Sequence, residues 1–152
     1  MYARRLGVDR ASQLNNFALL AAHGVPLAFG SDAPVTRLDP WQGVRAAANH
    51  HTPTHAVSVR AAFAAATRGG WRAAAVSDGL TGMLVPGAPA SYAVWEVDDL
   101  PALGASALES HHAVRRWSTN PSSRTPALPQ LGSHDALPKC RQTVHRGEVI
   151  YG

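Results

Sequence analysis

Cysteine, lysine and long apolar runs are nearly missing from this chain of 152 residues. With Cys140 as the one cysteine, no intrachain disulfide can form, which fits a reducing, cytoplasmic setting. Cys140 sits in "LPKCRQ" without the surroundings of a catalytic nucleophile, so it reads as a free thiol. Lys139 is the sole lysine, and the formal charge of +4 therefore rests on arginine. The arginines are scattered, with only Arg4–Arg5 and Arg115–Arg116 adjacent. No basic run interleaves with aromatics, which argues against a nucleic-acid partner. Nothing approaches the roughly 20 apolar residues of a membrane span. The apolar part of "FALLAAHGV" follows the polar "RASQLNN", and it is too short for the core of a secretory signal. The expectation is a cytoplasmic protein that meets neither membrane nor nucleic acid.

What is present is alanine, with enough apolar content (45%) for a core of ordinary domain size. Leu14, Phe17, Ala18, Ala21 and Ala22 recur at helical spacing, predicting a helix over residues 11–23 that Gly24 ends and Pro26 cannot continue. Val25 to Phe29 reads as a short buried strand of a helix-covered parallel sheet. Asp39-Pro40 predicts an N-cap and first helical position, opening a helix to Ala48 that stops before Pro53. Ser58 is the expected N-cap of an Ala-rich helix to Ala75, with Val59, Ala62, Phe63, Ala66 and Trp71 facing a core and Gly69-Gly70 as an internal break. From Gly79 the pattern turns to closely spaced Gly and Pro, then to a strand at Tyr92–Trp95. Residues 98–141 are rich in Pro, Ser and His, and are expected to be an extended surface segment or partly disordered. The chain closes as a hairpin, Thr143–His145 and Val149–Tyr151, around Arg146-Gly147. One strand between helices cannot close a parallel sheet. The layout is that of the last βα unit of a larger α/β structure (residues 1–78), followed by part of an all-β module (residues 79–152).

Two groups of residues are candidates for chemistry. Asp32, in "GVPLAFGSDAPVTRLDP", stands just past the apolar strand, where α/β sheets bind ligands. Gly30 leaves room for close approach and Pro34 stiffens the exit. Spacing alone leaves Asp32 open between a helix cap and a functional group. His51 and His55 are four apart, but Pro53 between them breaks the helix that a ligand pair needs, so a surface loop is expected. The adjacent His50 and His51 are no more informative, His111-His112 beside Arg115 and Arg116 reads as solvated, His134 and His145 have no partners nearby in sequence, and His23 lies at a helix end. Ser31 lacks the glycines of a nucleophile elbow. "GLTGMLVPG" has neither the lysine nor the following helix of a phosphate loop.

Three blocks of sequence, in order, resemble a known family. "LLAAHGVPLAFGSDAPVTRLDPWQGVRAAA" is similar to the last barrel strand of the metal-dependent amidohydrolase superfamily, in the branch related to N-substituted formamide deformylases. "GLTGMLVPGAPASYAVWE" resembles the segment where those enzymes leave the barrel. "TVHRGEVIYG" resembles the final hairpin of their small β-sandwich. The resemblance implies a C-terminal fragment, incomplete as a stand-alone fold: the last βα unit of a TIM-like (β/α)8 barrel plus C-terminal strands of a composite β-sandwich. It implies metal-assisted hydrolysis of a non-peptide amide C–N bond in a small-molecule substrate. It also implies a divalent metal, zinc in most members, with Asp32 as metal ligand and general base.

The departures are informative. The family's H-x-H pair, mid-barrel lysine or glutamate and two later histidines have no counterpart here. Serine stands in Ala90-Ser91-Tyr92 where the family has aspartate, and "NHH" stands where an arginine often follows the post-strand helix. One carboxylate cannot hold a catalytic metal, so the chain alone is expected to be inactive, needing a missing N-terminal half or a further copy of itself. The alternative is a catalytically inactive remnant or a small binding domain.

Overall fold

The computed structural model describes residues 2–98 and 128–152. Among them are six α-helices: α1 (Tyr2–Leu6), α2 (Val8–Ser12), α3 (Phe17–Ala22), α4 (Pro40–Ala48), α5 (Val59–Ala66) and α6 (Arg68–Ala73). A 3-10 turn covers Pro53–His55, and three strands, β1 (Tyr92–Glu96), β2 (Lys139–His145) and β3 (Glu148–Tyr151), form one antiparallel sheet in that order. Among the described residues no helix is long and apolar enough to cross a membrane.

The expected helix over residues 11–23 is two helices. Asn15 takes a left-handed conformation (φ 56°) and Asn16 caps α3, its side chain accepting from the Leu19 N–H at 3.0 Å. Asparagine tolerates the left-handed region and competes for backbone donors, so the Asn pair outweighs the apolar spacing. The stop is as the sequence predicts. Gly24 (φ 72°) donates to Ala21 and Val25 donates to Leu20, the paired closing bonds of a Schellman motif.

Helix α4 starts where Asp39-Pro40 placed it, the Asp39 carboxylate accepting from Gln42 N–H at 3.0 Å. It buries Trp41, Val44 and Ala47. Ser58 likewise caps α5, accepting from Ala61 N–H at 3.1 Å. The break in the second helix comes at Thr67, before the glycine pair: its hydroxyl donates back to the Phe63 carbonyl (2.8 Å) and its backbone leaves the helical region. A threonine that bonds its own helix backbone bends or ends it.

Val25–Phe29 takes no regular secondary structure and joins no sheet among the described residues, which corrects the strand expectation. A parallel strand needs neighbours running its way, and the described strands pair only with one another, antiparallel. The segment instead lies on the α5–α6 pair. Phe29 N–H donates to Ala65 O at 3.1 Å, and Gly69 sits so close that an added Cβ would come within 2.4 Å of the Leu27 carbonyl.

The core unites α4, α5 and the sheet. Trp41, Val44, Ala47, Val57 and Ala62 are buried together with Leu128 and Leu131. Trp41 packs on Phe63 with ring centroids 5.3 Å apart, and meets Trp95 of β1 edge-on at 6.0 Å. Residues 128–138 therefore belong to the packed body, which corrects the surface-segment expectation for this part. Arg45 donates to the Asp135 carbonyl and Asn49 donates to the Leu131 carbonyl, clamping the stretch onto α4. The rest of that expectation, residues 99–127, lies outside the described residues.

The closing hairpin forms as read, with β2 starting earlier, at Lys139. Arg146 (φ 51°) and Gly147 (φ 87°) are both left-handed, the signature of a type I′ turn whose twist suits the strands. Bulges interrupt both ladders, between Val94 and Trp95 and between Thr143 and Val144. The first sits where the Arg141 side chain pairs with Glu96.

Candidate functional site at the Gly30–Asp32 loop

Asp32 follows the Val25–Phe29 segment in a left-handed conformation (φ 57°), a region few non-glycine residues adopt, though Asp is among the enriched ones. The loop is held by its own hydrogen bonds. The Asp32 carbonyl accepts from Val35 N–H at 2.9 Å, Ser31 Oγ accepts from Ala33 N–H at 3.2 Å, and the Thr36 hydroxyl donates to the Ser31 carbonyl. These bonds fix the backbone and leave the exposed Asp32 carboxylate out of the network.

The choice between cap and functional group is thereby narrowed. Helix α4 already has a cap in Asp39, seven positions on. Other carboxylates are engaged too. Asp135 accepts from Gly132 N–H at 2.6 Å and Glu96 pairs with Arg141. Asp78 accepts from Leu80 N–H (2.9 Å), Thr81 N–H (2.8 Å) and the Thr81 hydroxyl. The Thr81 hydroxyl, and then the two N–H groups, hold the Asp78 carboxyl below the usual aspartate range. A depressed folded-state value means that the stabilisation is present above the unfolded pKa and is lost as pH falls through the folded one. Carboxyl NMR titration should find Asp78 titrating below free aspartate and moving upward in Thr81→Val. An unchanged midpoint in that variant would show that the hydroxyl is not the cause.

The histidines depart from expectation. The turn at Pro53–His55 folds His55 back against His50, with ring centroids 5.4 Å apart, while His50 and His51 stand 4.2 Å apart. His55 is only 6% exposed, and its Nδ1 has no hydrogen-bond partner among the described residues. The surface-loop reading thus fails for His55, because proline starts the turn that buries it. Thr52 N–H lies 3.0 Å from His50 Nδ1. The Thr52 carbonyl lies 3.1 Å from the same nitrogen, so both backbone polar groups of Thr52 hold this edge of the ring. Phe17 meets His50 edge-on at 5.9 Å and Phe29 at 5.2 Å. These rings line a cleft of about 1010 Å³ between α1–α3, the Ala28–Gly30 segment and α4. His145, without partners nearby in sequence, stacks on Trp71 at 6.3 Å across the fold. His111 and His112 lie outside the described residues.

The structure does not bring Asp32 and the histidines into one ligand set. Among the described residues no group of three or more His, Cys, Asp or Glu side chains could hold a metal ion. A catalytic divalent metal takes about three protein ligands, so these residues do not fit one, and zinc chemistry finds no seat among them. Ser91, the serine at the family's aspartate position, acts structurally. Its hydroxyl accepts from Arg146 N–H at 3.0 Å and ties the hairpin turn to the start of β1.

The sequence profile of the amidohydrolase family matches residues 1–151. The chain belongs to the amidohydrolase family, whose members are hydrolases of TIM-barrel-type fold and typically depend on a metal. No curated protein and no solved structure matches it.

Proposed function

We propose that this chain carries the proton-transferring carboxylate of a hydrolase that cleaves non-peptide amide C–N bonds. Asp32 is the general base, and the other catalytic groups come from outside the described residues, supplied by a barrel-completing N-terminal half or by a second copy. One observation carries the reading. The Asp32 carboxylate projects from a loop tied by backbone and hydroxyl bonds, while Asp39 does the capping. A carboxylate with no hydrogen-bond partner among the described residues is free to take and return a proton. The resemblance to the deformylase branch narrows the substrate to a small amide, and zinc remains the metal that resemblance suggests for the completed site.

Two measurements test this. Asp32→Asn should leave the stability within about 0.5 kcal/mol of the parent, as expected for an exposed group without partners among the described residues. A loss of about 1 kcal/mol or more would return Asp32 to a capping role. The 152-residue chain, supplied with zinc and an N-substituted formamide, should show no turnover. Zinc-dependent hydrolysis that vanishes in Asp32→Asn would refute the incomplete site. The competing reading, a remnant or binding domain without catalytic role, is favoured by the lack of a three-ligand group among the described residues.

A further inference from the structure

We propose that the cleft between α1–α3, the Ala28–Gly30 segment and α4 binds a planar aromatic carboxylate. This binding is independent of the hydrolytic role of Asp32, which does not line the cleft. One wall is aromatic. Phe29, Phe17, His50 and His51 form a run of four rings, each in contact with the next at 5.2, 5.9 and 4.2 Å. Tilted and edge-on arrangements of this kind accept a further ring at favourable offset or T-shaped geometry. Gly43, Ala46 and Ala47 of α4 also line the cleft, and such small residues leave a slot open there. A volume of about 1010 Å³ lies within the range of small-molecule sites.

Charge selects the rest of the ligand. No Asp, Glu, Lys or Arg is among the lining residues described. The polar groups at the ring end are imidazoles. The His50 imidazole carries at least one N–H in either tautomer, and its Nδ1 edge is held by the Thr52 backbone. His51 adds a second exposed imidazole 4.2 Å from the first. Two donors beside an aromatic wall, with no carboxylate to oppose them, suit an anion attached to a ring. Hydrogen bonds to a charged acceptor are about twice as strong as neutral ones. An amine would find no counter-charge there.

The test uses the full chain and three probes: benzoate, cyclohexanecarboxylate and benzylamine. Binding is read from the histidine ring resonances. Benzoate should shift the His50 and His51 signals saturably, with Kd on the order of 1 mM, as expected for so small a ligand. The saturated-ring acid and the amine should each bind about 10-fold more weakly, since one lacks the aromatic ring and the other carries charge of the wrong sign. Ala46→Trp, which sends an indole into the slot from the exposed side of α4, should weaken benzoate by about 10-fold or more while keeping the parent unfolding midpoint. An equal response to all three probes, no saturable shift in the parent chain, or unchanged benzoate affinity in Ala46→Trp would each overturn the proposal.

Discussion

Trp41→Ala should cost about 3–5 kcal/mol of stability, as large aromatic truncations in cores do. Trp41 is the joint between the helical and sheet parts of the core. It leaves α4, lies against Phe63 of α5 and receives the edge of Trp95 from β1, with only 6% of its surface exposed. Removing it opens a void that three elements border, and aromatic pairs contribute about 0.5–1.5 kcal/mol beyond their area. Native domains hold only about 5–15 kcal/mol in all, so the variant should unfold at much lower denaturant than the parent. Urea unfolding followed by far-ultraviolet circular dichroism measures it. A loss below about 1 kcal/mol would mean that the aromatic joint does not carry the core.

The adjacent glycines of α6 should respond with opposite signs. At Gly69 an added Cβ would lie 2.4 Å from the Leu27 carbonyl and 3.3 Å from both the Ala28 Cα and the Ala64 carbonyl. All three are backbone atoms, which cannot rotate away. Gly69→Ala should therefore cost about 1–3 kcal/mol or more through overpacking, against a helix-propensity gain of about 1 kcal/mol. At Gly70 an added Cβ meets nothing within 4 Å. Gly70→Ala should stabilise by about 0.5–1 kcal/mol, because alanine gives up less backbone freedom than glycine. The pair of melts checks this. Equal effects at the two positions would contradict the close seat of Val25–Phe29 on α6.

Local chemistry was readable from the residues, and long-range contacts were not. Asp39-Pro40, Ser58, Gly24 and Arg146-Gly147 all behave as their types predict, because caps and turns are decided within a few residues. Asn15-Asn16 and Thr67 broke helices that the apolar spacing had run together. The spacing records which face is apolar, whereas a side chain that bonds its own backbone decides where a helix ends. Leu128 and Leu131 hide in a stretch of weak periodicity, since their burial depends on α4, far away in the chain. For the site, the sequence marked both Asp32 and the Asp39 cap, but spacing alone could not show that the loop's own bonds leave the Asp32 carboxylate out. It gave no hint of the ring contacts from Phe29 through His50, which need the chain to return on itself. Proline at 53, read as a reason to discount the histidines, is the residue that folds His55 inward.

The sheet also implies an order of assembly. β2 and β3 meet through a two-residue turn, and such hairpins close in about 1–10 μs. β1 pairs with the other side of β2, yet the chain runs from residue 96 to residue 139 before that partner arrives. Closing so long a connection costs entropy that grows as about 1.5 RT ln n, and contacts distant in sequence slow folding. Capture of β1 by a hairpin already formed is then the late event. Trp95 rides on β1 and reaches Trp41, so the same step that completes the sheet also seals the helical core.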